Sequence, residues 1–158
     1  MRLVVVDSLT FPFRDLDVSA PGQAAHRSEL LYTLASRLKA LAQAWRVAVV
    51  VTNHVVDCVE QGSSSLLALE QATGGLPLFT SGRRVMPALG LHWAHCVSTR
   101  IFLSRDTRAG ALGAEVEVKR RMRVVFSPHL AASECRFAVR ATGVHGVEPE
   151  PGEVEPCD

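Results

Sequence analysis

Two short apolar runs frame one long amphipathic stretch near the start of the chain. Residues 3–6 read Leu-Val-Val-Val and residues 47–51 read Val-Ala-Val-Val-Val. Neither run alternates with polar residues, so each predicts a strand covered on both faces, the environment of a parallel sheet. Between them Leu31, Leu34, Leu38, Leu41 and Trp45 recur at helical spacing, with Leu30 and Ala42 widening the stripe. Arg27, Glu29, Arg37, Lys39 and Gln43 fall largely on the other side. This pattern predicts a helix over 23–45 and, with its flanking runs, a βαβ unit with parallel strands and a right-handed crossover. The first run ends in Asp7-Ser8 and the second in Thr52-Asn53-His54, so both polar ends are expected at one edge of the sheet.

Periodicity weakens over 55–86, which holds Gly62-Ser63-Ser64-Ser65, Gly74-Gly75, Pro77 and Gly82. The stretch predicts a long loop of the functional kind, with a short helix over 66–71. Pro87-Ala88-Leu89-Gly90 closes it, and 91–95 begins a helical turn. Residues 97–104 predict a strand and 105–118 a variable connection. Residues 121–127 and 135–141 predict two more strands, which Pro128 and the short 128–134 link make an antiparallel pair. Gly143 to Gly146 reads as a turn. The fold class is α/β, with parallel strands first and an antiparallel pair at the end.

A length of 158 residues suits one domain, read here as 1–147. The last eleven residues hold Glu148, Glu150, Glu153, Glu155 and Asp158 with Pro149, Pro151 and Pro156, and predict a disordered acidic tail. They also mask an asymmetry behind the net charge of +1. Sixteen acidic residues less these five leave eleven, against 17 Lys and Arg. A basic body fits an anionic partner such as nucleic acid, or a solvated surface with a chance excess. Cys58, Cys96, Cys135 and Cys157 form no C-x-x-C pair, which predicts reduced thiols in an intracellular protein. No signal peptide and no apolar run near 18 residues is present, so no membrane partner is expected.

Asp7 is the first candidate for chemistry. An acid at the carboxyl end of a buried parallel strand sits where open α/β sheets bind ligands, and in nucleotide-hydrolysing sheets it holds Mg²⁺ through water. The plainer alternative is a local cap made by Asp7 and Ser8. Asn53-His54 can donate hydrogen bonds to a terminal phosphate and pass its state to the following loop, or simply face water. Arg83-Arg84 in that loop suits phosphate contacts, and suits a solvated charge pair equally. Lys119-Arg120-Arg121 with Arg123 reads better as a solvated strand edge than as a nucleic-acid track. His92-x-x-His95-Cys96 lacks a nearby fourth ligand and does not read as zinc. No G-x-S-x-G elbow and no G-x-x-x-x-G-K-[ST] phosphate loop occurs.

Read in order, these segments resemble the eukaryotic RecA-like recombinases. Leu-Val-Val-Val-Asp-Ser (3–8), the Leu-rich helix, Ala-Val-Val-Val-Thr-Asn (48–53), Pro-Ala-Leu-Gly (87–90), Trp-Ala-His (93–95) and Thr-Arg-Ile-Phe-Leu (99–103) follow in that family's sequence. The blocks 81–97 and 120–130 look most like its paralogue group called X-ray repair cross-complementing protein three, in the plant or algal form. The resemblance covers nearly all of 2–147. It implies a partial RecA-like P-loop NTPase core and a nuclear protein acting in homologous-recombination repair of double-strand breaks. Its implied ligands are ATP, Mg²⁺ and single-stranded or branched DNA, and its implied partners are other recombinase paralogue subunits. Asp7 matches the Mg²⁺-organising acid and, with His54, the catalytic positions. Asp7, Ser8, Asn53, His54, Ser127 and Pro128 match nucleotide-facing positions, the last two capping a neighbouring subunit's nucleotide. Residues near 14–24 and 55–92 match DNA-facing loops, which makes Arg14, Arg83 and Arg84 the DNA-binding candidates.

Two departures from the family follow. His54 stands where the recombinases carry a Gln phosphate sensor, so the coupling of ATP state to DNA is expected to be altered. The family's phosphate loop lies upstream of residue 1, so Met1 reads as a fragment boundary or gene-model start. The phosphate-loop strand would lie between the strand ending at Asn53 and the one at 97–104. An empty slot there predicts a gap in the sheet or a rearranged closure, low stability in isolation and weak ATP binding. The resemblance is to a DNA-dependent ATPase, but enzymatic activity of this chain is left open. Two other classes stay open: a non-catalytic assembly subunit, and another doubly wound NTPase acting on a metabolite.

Overall fold

The long Leu-rich stretch forms α1 (Gln23–Trp45), and it joins two parallel strands, β1 (Leu3–Val6) and β2 (Ala48–Val51). The computed structural model describes residues 2–13, 22–58, 77–108 and 117–148. The predicted helix over 66–71, the acidic tail beyond Glu148, and Arg14 lie outside the described residues. The remaining elements are β3 (Val55–Asp57), β4 (Leu78–Thr80), β5 (Arg83–Pro87), α2 (Gly90–Ala94), β6 (Arg100–Arg108), β7 (Glu117–Phe126), β8 (Ser133–Arg140) and β9 (Gly143–Val147). The chain divides into two compact units, Met1–Leu78 with Arg84–Ser98, and Phe79–Arg83 with Thr99–Asp158. No helix among the described residues is long and apolar enough to cross a membrane.

In the first unit β1 and β2 pair in parallel, with Leu3 opposite Ala48 and Val6 opposite Val51. Two bonds carry the ladder past the strands: Thr52 N–H donates to Val6 O at 3.0 Å, and Leu9 N–H to Thr52 O at 3.1 Å. At the end of α1, Arg46 takes a left-handed φ of 48°, and Val47 N–H reaches back to Ala42 O at 3.1 Å. This closes the helix and turns the chain directly into β2. The core gathers Leu9, Phe13, Leu31, Ala35, Leu89, Trp93 and Cys96, with Val6, Leu34, Leu38, Val51 and Val97 against it.

The apolar runs predict strands covered on both faces, and the structure covers one. Val4, Val6, Val49 and Val51 are half-buried, whereas Leu3, Val5 and Val50 are exposed. A single crossover helix lies on one side of a sheet, and among the described residues nothing covers the other. The predicted α1 stripe narrows for the same reason. Leu31 and Ala35 are buried, while Leu30, Leu41 and Trp45 are exposed. Among the described residues β1 and β2 form a two-stranded sheet and β6 belongs to another.

The 55–86 stretch is not the uniform loop its weak periodicity predicts. Its two ends form strands, and a three-stranded sheet runs in the order β3-β5-β4. Val55 pairs with Pro87 and Asp57 with Val85, antiparallel. These strands are three and five residues long, too short to show a period, and their partners lie about thirty residues apart. In the second unit an antiparallel sheet runs β6-β7-β8-β9. The predicted β7–β8 pair is present, with Arg121 opposite Arg136. β6 starts later than predicted and runs to Arg108, which shortens the predicted connection to the segment between Arg108 and Glu117. The predicted turn at 143–146 is instead strand β9, paired with β8 so that Arg140 faces Gly143. Gly143 has φ of 120°, a conformation that lets it leave the preceding two-residue turn.

Burial raises the Cys96 thiol above its ordinary value of 9.0, with the nearby Lys39 ammonium opposing in part. Neutral-thiol stabilisation is therefore complete below pH 9.0 and is lost as pH rises through the folded value. The urea midpoint should fall as pH passes 9, and Cys96→Ala should remove that part of the fall. Iodoacetamide at pH 8 should modify exposed Cys135 well before Cys96.

Candidate functional site

The parallel register that pairs Val6 with Val51 brings the two polar strand ends together. Asp7 follows β1 and is exposed; Asn53 follows β2 and is half-buried. Thr52 Oγ1 donates to Asp7 Oδ1 at 2.6 Å. Thr10 Oγ1 donates to Asn53 Oδ1 at 2.9 Å, and His54 N–H donates to the same Thr10 oxygen at 3.0 Å. Each strand end thus holds the other through a threonine hydroxyl. Sequence pattern alone does not reveal either hydroxyl, although extending the strand pairing by one residue would set Thr52 beside Asp7.

The charge left at this edge is the Asp7 carboxylate, with the second oxygen not used by Thr52. One carboxylate, with Ser8 next in the chain, fits a magnesium ion that keeps most of its waters and takes its other ligands from phosphate. It does not fit a metal cage made by protein alone, and no group of three His, Cys, Asp or Glu side chains suits one among the described residues. His92 packs edge-on against Tyr32, with ring centroids 6.2 Å apart, and its carbonyl accepts the Cys96 thiol at 3.2 Å. His92 and Cys96 thus take part in the packing of the first unit.

His54 is exposed at its ring and held at its backbone. Its carbonyl accepts Ala88 N–H at 2.9 Å, and Ala88 O accepts Arg27 Nη2 at 3.3 Å. Arg83 and Arg84 sit on β5 rather than in a loop. Successive strand residues face opposite ways: Arg83 is exposed, and Arg84 is half-buried beside Cys58, whose N–H donates to Arg84 O at 3.0 Å. The two side chains therefore leave β5 on opposite faces.

Ser127 and Pro128 lie in the link between β7 and β8. Ser127 Oγ accepts the N–H groups of His129 at 3.3 Å and Leu130 at 3.2 Å, a local serine turn. It also meets Thr99 Oγ1 at 3.3 Å and lines a shallow open hollow of about 170 Å³ with Phe126 and Leu130. The Lys119–Arg123 cluster is not a solvated edge. β7 is an interior strand of its sheet, its arginines are half-buried, Arg121 pairs with Glu134 at 3.1 Å, and Arg123 lies 6.0 Å from the Phe102 ring centre.

Comparison with known proteins agrees with this architecture. Residues 1–147 match the family described as Rad51. The chain is 36% identical to the DNA repair protein XRCC3 homolog of Arabidopsis thaliana, over 94% of its own length and 52% of that protein. It is 34% identical to the DNA repair protein XRCC3 of Mus musculus, over 92% of its length and 39% of that protein. It is also 34% identical to the DNA repair protein RAD51 homolog B of Zea mays, over 92% of its length and 36% of that protein. The chain spans about half the length, or less, of the curated relatives it matches. With a matched segment covering nearly every described element, and with the polar ends of the two parallel strands in register, the chain belongs to the Rad51 family and carries part of its RecA-like core.

Proposed function

We propose that this chain is part of a recombinase paralogue that binds DNA in an ATP-dependent way during homologous-recombination repair in the nucleus. The observation that carries this reading is the edge where Asp7 and Asn53-His54 meet, cross-held by Thr52 and Thr10. An acid that organises Mg²⁺ and a donor pair facing a terminal phosphate need this adjacency, and parallel pairing supplies it. The relatives are named as DNA repair proteins, which supports the same reading. In it Asp7 and Ser8 serve the metal and nucleotide, Ser127-Pro128 caps a neighbouring subunit's nucleotide, and other paralogue subunits are the partners. A chimaera tests it: residues 1–147 replace the matching segment of the Arabidopsis relative. Restored survival of a line lacking that relative, after double-strand breaks, is expected. An inert chimaera that is expressed and folded would sink the reading.

Single-stranded DNA is the proposed ligand of the β5 arginines, with Arg83 dominant because it is exposed. Every phosphate that is no longer neutralised should lower the slope of log affinity against log salt by about 0.7. In fluorescence anisotropy Arg83→Ala should weaken binding several-fold and reduce the slope by about that amount, while Arg84→Ala does so to a smaller degree. Unchanged binding in the double variant means that these strands do not face DNA.

A second reading, an assembly subunit with vestigial ATP chemistry, is favoured by His54 in place of the recombinases' Gln and by the exposed Leu3, Val5 and Val50. Paralogue binding by the chimaera that ignores both ATP and Asp7→Ala would select it.

A further inference from the structure

We propose that Thr10 is a positioning residue for the Asn53-His54 end of β2. The proposal rests on the reading of that end as phosphate-facing. Among the described residues Thr10 is the buried polar side chain, 9% exposed, in a core otherwise built from apolar groups. Its single hydroxyl works in both directions. It donates to Asn53 Oδ1 at 2.9 Å and accepts His54 N–H at 3.0 Å.

The direction of the first bond matters chemically. A carboxamide has an acceptor end and a donor end, and only the donor end attracts a phosphate oxygen. The Thr10 proton occupies Oδ1, so Nδ2 and its two protons are the part of Asn53 left for an anionic ligand. The second bond fixes the backbone that follows. With His54 N–H on Thr10 and His54 O on Ala88 N–H, both main-chain groups of His54 are held by residues distant in sequence. The end of β2 is thereby set before any ligand arrives, which lowers the ordering cost of binding. Without the hydroxyl, Asn53 is free to turn its oxygen outward, where it repels phosphate, and His54 N–H loses its acceptor.

The test uses the whole 158-residue chain, labelled with nitrogen-15, with Thr10→Val and Thr10→Ser beside the parent. Hydrogen exchange at the His54 amide is expected to be slow in the parent, about tenfold or more faster in Thr10→Val, and near parental in Thr10→Ser. The Leu31 amide in α1 reports whether the fold persists, and it should not change. A parent whose His54 amide exchanges like an unfolded chain overturns the proposal whatever the variants do. So does a Thr10→Ser that behaves like Thr10→Val. The chimaera of residues 1–147, made with the same three side chains at position 10, is then titrated with ATP and Mg²⁺ against the Asn53 side-chain signals. A parental response that Thr10→Val weakens at least threefold and Thr10→Ser keeps supports positioning; equal affinity in all three chains overturns it. A parent that does not respond to ATP and Mg²⁺ counts against the phosphate-facing reading itself, while the exchange data still decide whether Thr10 holds this end of β2.

Discussion

Leu31→Ala is expected to destabilise the first unit by about 3 kcal/mol, within the ~2–5 kcal/mol range for buried leucines. Leu31 is 2% exposed and belongs to a cluster that takes residues from α1, α2 and the segments after β1 and before β6. Truncation there leaves a void that several separate elements would have to move to fill. Total stability of a domain is only about 5–15 kcal/mol, so the variant sits near the edge of folding. Urea denaturation checks it: the midpoint should drop by on the order of 1–2 M with little change in slope. Trp45→Ala is the control. Trp45 is larger and lies in the same predicted stripe, but it is 75% exposed, and its loss should cost under about 0.5 kcal/mol. Comparable losses for the two would show that α1 packs differently.

The second large effect concerns Asp7. In the chimaera, Asp7→Ala should lower Mg²⁺-dependent ATP affinity about 10- to 100-fold, the usual cost of removing a group that orients a metal through water. Asp7→Asn separates two roles of the carboxyl. The amide oxygen can still accept the Thr52 proton, whose oxygen lies 2.6 Å from Asp7 Oδ1, but it carries no charge. If the charge organises the ion, both variants lose affinity, and binding measured in EDTA is equally weak for all three proteins. If Asp7→Asn keeps parental affinity with Mg²⁺, Asp7 serves only as the acceptor that ties Thr52 to β1.

The exposed Leu3, Val5 and Val50 bear on where such experiments can succeed. A strand with no polar residue on either face has a sequence adapted to cover on both. The described residues cover one face, so the sheet of β1 and β2 presents apolar side chains and an unpaired edge, a combination that favours association. Work with the chain alone therefore calls for low concentration.

Much of the candidate site is legible in the sequence. Asp7 and Asn53-His54 stand out because each ends a run of four or more apolar residues, and parallel pairing then puts them side by side. The Thr10 and Thr52 hydroxyls are not legible as partners. A threonine after a strand has no periodic signature, and its role depends on a residue more than forty positions away. The strand placement of Arg83 and Arg84 is hidden for a related reason. Adjacent charges look like a patch in a loop, and become opposite-facing groups once the segment pairs as a strand.

Local pattern was enough for α1, β1, β2 and the β7–β8 pair, because helical spacing, unbroken apolar runs and a short Pro-containing link are written within a few residues of each other. Three-dimensional structure alone decided which face of each run is covered, that β3 and β5 pair across the long stretch, that 143–147 is a strand, and which hydroxyl holds which polar end. Those outcomes depend on groups far apart in the chain competing for cover and for hydrogen-bond partners, and no local window of sequence contains both competitors.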